Sequence, residues 1–254
     1  MKKFSTLRSV IPFLIVAATM LQLVAEGERE CVAFVCAHPD DLAGCSGTAL
    51  LLAEKFDVRV IDFTRGEGCL GAAGFRDGST AKLRVAEERA ACAMLGTEPY
   101  FLCETNYCGE MAYAGRRVTK QLMDIFKEIK PRAVILHWPL DTHPDHAQSM
   151  AAALHAIHLA AIKPEIYFQE QTTQSRSFQP AYYIDITRVK DHKDKLIMCY
   201  KCQWPEAMRK RKEEDAVFRG RRIGVKYAEA FSVYEGSVKA NHSIFNEINP
   251  PGIR

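Results

Sequence analysis

The stretch "CVAFVCAHPDDLAGCSGTALLLAEKF", residues 31–56, sets two kinds of backbone on either side of a polar turn. Residues 31–37 are apolar, rich in Val and Phe, and as short as buried strands are. The run stops at His38, Asp40 and Asp41. A segment of helical period follows at 46–56, with Ser46 available as its N-cap. A strand that shows no polar alternation is covered on both faces, which is the situation in a parallel sheet.

The same alternation runs through the rest of the chain. Strand-like runs at 58–64, 99–104 and 133–138 are separated by helical patterns at 80–96, ended by Gly96, and 116–130, stopped by Pro131. A helix over 145–162 and strand candidates at 165–170 and 181–187 come next, the last two separated by the polar loop "QTTQSRSFQ". A helical tail over 189–221, interrupted near Trp204-Pro205, precedes a closing stretch at 227–236. Strand and helix in short-looped alternation predict an α/β fold, a Rossmann-like three-layer sandwich around a mostly parallel sheet.

With 254 residues, 48% apolar and 26% charged, the composition is that of an ordinary globular chain. Lys2, Lys3 and Arg8 account for the whole net charge of +3, so the remainder is balanced and offers no nucleic-acid surface. These three cations precede an apolar run at 10–25, the arrangement of a secretory leader over residues 1–27 with cleavage before Glu28. The sequence therefore predicts export to a periplasmic or extracellular space and a single domain over 28–254. The rival readings are a membrane-anchored or a cytoplasmic chain. As an anchor, the run spans only about 24 Å, short of a hydrocarbon core of about 30 Å. Of nine cysteines at irregular spacing most read as small core residues, and the Cys199–Cys202 pair, set in a helical pattern with no second pair, reads as structural. Self-association is left open.

In an open parallel sheet, ligands bind outside the carboxyl ends of the strands. Two polar clusters fall there: "HPDD" at 38–41 after the first strand and "HPDH" at 143–146 after the fourth. Pro39 and Pro144 hold the preceding histidines extended at the strand tips. Imidazoles and carboxylates gathered on one rim predict a metal, and three such ligands with an open position form the pattern of catalytic zinc. A cation there activates water, and a neighbouring carboxylate serves as general base.

"AHPDD…GCSGT", "HWPLDTHPDH" and the late "GVKYAEAF" resemble the PIG-L/LmbE family of zinc-dependent deacetylases over about 32–234. The resemblance implies Zn²⁺, or another divalent ion, on His38, Asp41 and His146, with Asp40 as general base. It places His143 at the tetrahedral intermediate or the leaving amine, with Asp145 orienting that imidazole. The implied substrate is a small N-acetylated amino sugar or a glycoconjugate, and Arg65 resembles a substrate-contacting arginine, with Glu67 shaping the rim. Two positions depart from the family pattern: Leu42 stands where Glu is common, and Cys108 where an Asp holds sugar hydroxyls, a place Asn106 or Glu110 is positioned to fill.

Trp138 is placed either to stack on a sugar ring or to pack in the core, and His137 reads more readily as satisfied by backbone than as pocket lining. His155 and His158 read as structural, Arg84 with Glu87 or Glu88 as a solvated or locally paired helix face, and 209–215 as a mixed-charge helix face. Three other classes stay open: a hydrolase of non-sugar N-acyl amides, a non-catalytic metal-dependent carbohydrate binder, and a nucleotide-dependent dehydrogenase. The last lacks its G-x-G-x-x-G turn.

Overall fold

The computed structural model describes residues 29–68, 78–102, 115–239 and 242–249. The leader expected over 1–27 and Cys69, Cys103 and Cys108 lie outside them. Within them, strands β1 (Cys31–Cys36), β2 (Asp57–Asp62), β3 (Tyr100–Phe101), β4 (Ala133–His137), β5 (Glu165–Gln169), β6 (Tyr182–Asp185) and β7 (Ala228–Val233) form one sheet in the order β3-β2-β1-β4-β5-β7-β6. The first five are parallel, and β7 joins antiparallel to both β5 and β6. This is the predicted three-layer α/β sandwich.

Alternation along β1 builds both layers. Val32, Phe34 and Cys36 enter one core with α1 (Ser46–Ala53), α2 (Gly78–Ala93), α5 (Lys190–Ile197), α6 (Pro205–Ile223) and the short α7 (Phe245–Ile248). Ala33, Val35 and Ala37 enter the other, with α3 (Gly115–Ile129) and α4 (Pro144–Ala160). On α3, Val118, Leu122 and Phe126 recur every fourth residue and are buried, so one stripe of the helix is removed from water. Pro144 and Pro205 sit in the first turns of α4 and α6, where a missing N–H costs nothing, and Gly224 closes α6 at φ 74.

Two expectations are corrected. The third strand, expected over 99–104, runs over Tyr100–Phe101 among the described residues, where it pairs with Ile61 and Asp62 at the end of β2; residues 103 and 104 of that expectation lie outside them. Ser46 does not cap α1: no side chain at its N-cap accepts an amide. The first-turn N–H groups of Gly47 and Thr48 donate instead to the two oxygens of Glu229 on β7, at 2.9 and 2.7 Å. A buried carboxylate satisfies two amides and meets the positive end of the helix, where one hydroxyl would satisfy a single donor. Gly47 permits the approach, since a Cβ there would lie 2.9 Å from Glu229 Oε1 and from Ile186.

Lys193 Nζ completes the arrangement, 2.6 Å from Glu229 Oε1 with both side chains buried. Glu229→Ala leaves that ammonium buried and unpaired, and it strips α1 of its cap. The expected loss is about 3–5 kcal/mol of unfolding free energy, read by urea denaturation; Lys193→Met, which leaves Glu229 bonded to both amides, costs less.

Candidate active site

β1 and β4 are neighbours in the sheet although 100 residues apart, and the strand order reverses direction between them. The crevice beyond their carboxyl ends receives HPDD from one side and HPDH from the other. After His38 the chain enters a short 3-10 turn, Asp41–Gly44, and after His143, the N-cap residue, it enters α4.

Asp41 is the centre of the cluster. Its Oδ2 accepts from the amides of Ala37 and His38 at 3.0 and 2.8 Å, and its backbone oxygen accepts from Gln171 Nε2 at 2.7 Å. His137 Nε2 lies 3.2 Å from Oδ2 and His146 Nε2 3.3 Å from Oδ1. Burial opposes ionisation of Asp41, but the two imidazoles outweigh it and hold its pKa well below the usual range. Burial likewise opposes charge on His146, yet Asp41 and Asp141 push its pKa up to about 9. His137, buried and stacked on His146 with ring centroids 4.1 Å apart, is pushed down to about 4 by burial and by the charge of His146.

The donor set fits a divalent cation. His38, Asp41 and His146 are all buried, and one ligand atom from each lies within 4.8 Å of the others; His38, His143 and Asp145 form a second such group sharing His38. Two imidazoles and a carboxylate match the oxygen and nitrogen preference of zinc and of several other divalent ions. Outer groups hold the ligands in place: Asp141 Oδ2 stands 3.2 Å from His146 Nδ1, and Asp145 Oδ2 is 2.9 Å from His38 Nε2.

The Asp145 carboxylate reaches His38, and its backbone N–H donates to His143 Nδ1 at 3.2 Å. An imidazole that accepts at Nδ1 carries its proton on Nε2 when neutral, so His143 is a donor at that atom. Its ring lies 4.8 Å from that of His38 and 4.7 Å from that of His146.

Asp40 is held from a different direction. Arg84 Nη2 donates to Asp40 Oδ1 at 2.9 Å and also to the carbonyl of Pro39, while the Asp40 N–H donates to Glu88 Oε2 at 3.1 Å. Asp40 Oδ2 accepts no hydrogen bond from the described residues, and the side chain lines a cleft of about 300 Å³. Gln171, Thr172, Gln203, Arg211 and Lys212 form the opposite wall. Burial of Asp40 raises its pKa, with Arg84 acting against the rise.

Arg84 and Glu88 therefore do not form a solvated pair: they are 3% and 0% exposed. They continue the stripe of Ala91 and Cys92 that α2 buries. Gln171 and Asp141 were also not singled out. They belong to loops tied together by Thr142 N–H to Gln174 O, 3.0 Å, and Arg176 N–H to Leu140 O, 2.7 Å, a pairing that only the fold creates.

Other expected site residues lie elsewhere. Trp138 packs edge-on against Phe168 and Phe178 and donates its indole N–H to Arg176 O at 2.8 Å, outside the cleft lining. Arg65 is paired with Glu67 at 2.8 Å. Asn106, Cys108 and Glu110 lie outside the described residues. Leu42 is fully buried in the core beneath the turn, so apolar packing occupies the position where the resemblance implied a carboxylate. His137, read as satisfied by backbone, accepts the Ala37 N–H at Nε2, 3.2 Å, and the same nitrogen lies 3.2 Å from Asp41 Oδ2. Cys199 and Cys202 are free, and Cys202 Sγ donates to Glu87 at 3.0 Å.

Behind Asp40, burial pushes Glu88 from 4.5 up to about 7, although the Asp40 N–H opposes the rise. A carboxyl that keeps its proton longer in the folded chain than in the unfolded one takes up protons on folding, so stability falls as pH rises from about 4.5 to about 7. Glu88→Gln removes this contribution. Urea denaturation at pH 5 and pH 8 is expected to show a smaller loss across that interval for the variant than for the wild type.

Comparison with known proteins agrees with the geometry. Residues 33–157 match the family model described as PIG-L: GlcNAc-PI de-N-acetylase. Diacetylchitobiose deacetylase of Thermococcus kodakarensis is 25% identical over 223 residues, covering 78% of this chain and 81% of that protein. Among solved structures, the N,N'-diacetylchitobiose deacetylase of Pyrococcus horikoshii matches with TM-score 0.69 at 22% identity, over 98% of this chain and 99% of that one. The 4-carboxy-2-hydroxymuconate hydratase of Pseudomonas putida matches with TM-score 0.70 at 24% identity, over 84% and 100%. At such identities the structural likeness establishes the LmbE-like α/β fold. Residues 33–157, which carry the whole His and Asp cluster together with Arg84 and Glu88, are a PIG-L family domain.

Proposed function

We propose that the protein is a metal-dependent hydrolase that removes the N-acetyl group from an N-acetylated amino sugar or glycoconjugate. The observation that carries the reading is the position of Asp40 beside the buried group of His38, Asp41 and His146, with Oδ1 clamped by Arg84 and Oδ2 accepting no hydrogen bond from the described residues. The matched family and the diacetylchitobiose deacetylase relative support the same chemistry.

His38, Asp41 and His146 hold the ion, for which zinc is the proposed identity. Bound there, such an ion polarises an amide carbonyl and brings the pKa of water towards about 7. Asp40 takes the proton of the attacking water at Oδ2 while Arg84 fixes the orientation of the carboxylate. His143 donates a hydrogen bond from its Nε2–H to the oxygen that gains negative charge, and Asp40 returns the proton taken from water to the departing amine. The hydroxyl and amide groups of Thr172, Gln174 and Gln203 in the cleft wall suit the hydroxyls of a sugar, and Arg65 and Asn106 are proposed to contact it. The basic and apolar leader of residues 1–27 supports export as the destination.

Acetate release from a panel of N-acetylated amino sugars, free, phosphorylated and lipid-linked, tests the reading. The expected result is turnover that is abolished by a chelator and restored by Zn²⁺, with Asp40→Asn keeping bound zinc but losing about 10²–10⁴-fold in kcat. Full turnover after metal removal, or full activity of Asp40→Asn, overturns it.

A further inference from the structure

Asp40 has φ 101 and ψ −18, a left-handed backbone at a residue that is not glycine. Such a conformation costs about 1–3 kcal/mol and persists only where its surroundings impose it. Here the imposing element is a single turn of α2. Its Arg84 and Glu88, four residues apart, together grip the Pro39 carbonyl, the Asp40 carboxylate and the Asp40 N–H. Arg84 alone fixes two acceptors on one side of the Asp40 Cα. The N–H is the third point, and three points define the direction in which the side chain leaves the backbone.

We propose that Glu88 is a positioning residue for the reaction, holding the Asp40 N–H so that Oδ2 faces the cleft. Its side chain is fully buried, lies outside the cleft lining and is not part of either group of candidate metal ligands. It therefore acts on chemistry only through Asp40. Its second oxygen accepts from Cys92 Sγ at 3.4 Å, one turn further along the same helix, which fixes the carboxyl plane. Without the Glu88 acceptor the Asp40 N–H would be buried and unpaired, and the peptide would be free to relax towards an ordinary right-handed or extended conformation. The carboxylate would swing by an ångström or more while Asp41, anchored by the Ala37 and His38 amides, would stay where it is.

The inference rests on the reading of Asp40 as general base, and its test separates the two. On the zinc-loaded full chain, Glu88→Leu is expected to lower kcat about 10–100-fold, with KM and zinc content unchanged. Glu88→Gln, which keeps an acceptor for the N–H, is expected to restore most of the rate. In the Asp40→Asn background Glu88→Leu is expected to cost nothing more, because the residue through which it acts is already disabled. Loss of zinc together with kcat in Glu88→Leu, wild-type kcat in that variant, or an equal loss in the Asp40→Asn background each overturns the positioning role while leaving the base intact. Full activity of Asp40→Asn removes the base and this inference with it. Hydrogen exchange at the Asp40 amide gives a readout independent of turnover and of how well Glu88→Leu folds. Slow exchange in the wild type and in Glu88→Gln is expected, and fast exchange in the wild type overturns the proposal.

Discussion

The parallel pairing of β1 with β4 is the constraint from which the site follows. Val32, Ala33 and Phe34 align with Ala133, Val134 and Ile135, and this register brings two strand tips from 100 residues apart to one crevice. Every parallel strand ends at the same edge of the sheet, but only at the reversal of strand order do the two following loops leave in opposite directions and open a space between them. His38 and Asp41 enter it from one side, His143 and His146 from the other. A histidine at the β4 end, His137, then falls directly behind Asp41.

The crevice concentrates charge in a place with little water, and each charge is balanced by a partner from another element. Asp41 is matched by His146, Asp40 by Arg84 and, below the rim, Glu229 by Lys193. Asp62 has no such partner among the described residues: neither of its oxygens finds a hydrogen bond there. Burial and then the charge of Glu88 raise its pKa well above the ordinary carboxylate range. The pattern is economical for catalysis. The side chain of one aspartate of the HPDD pair is committed to two amides and two imidazoles, and among the described residues its neighbour keeps one oxygen without a donor.

Adjacent residues diverge in this way because the backbone turns over between them. Asp40 in a left-handed conformation points its side chain towards α2, and Asp41 begins the 3-10 turn with its side chain folded back over the tip of β1. Pro39 keeps the preceding segment extended, so the whole change of direction falls on Asp40. Gln171, reaching across from the loop after β5, holds the Asp41 carbonyl and at the same time accepts from Lys212 Nζ at 2.9 Å, linking the turn to the far wall of the cleft.

Much of this was legible in the chain. Apolar runs gave β1, β2, β4, β5 and β6 within two residues at each end, while β7 fell in a closing stretch left unassigned, and helical period placed α3 and α4. HPDD and HPDH announced the site because two such clusters stand together at the carboxyl ends of two predicted parallel strands. Arg84, Glu88 and Glu229 were not legible as site or cap, since charged residues at helical or strand spacing have the same local pattern whether they face water or a buried partner. Local sequence determined which segments are strands and helices and which residue types stand at their tips, through side-chain size, polarity and backbone preference. The tertiary structure alone decided which tips meet, that Glu229 rather than Ser46 caps α1, that Trp138 turns away from the cleft, and that α2 grips Asp40. Those outcomes depend on sheet order and on burial, and both arise between residues far apart in the chain.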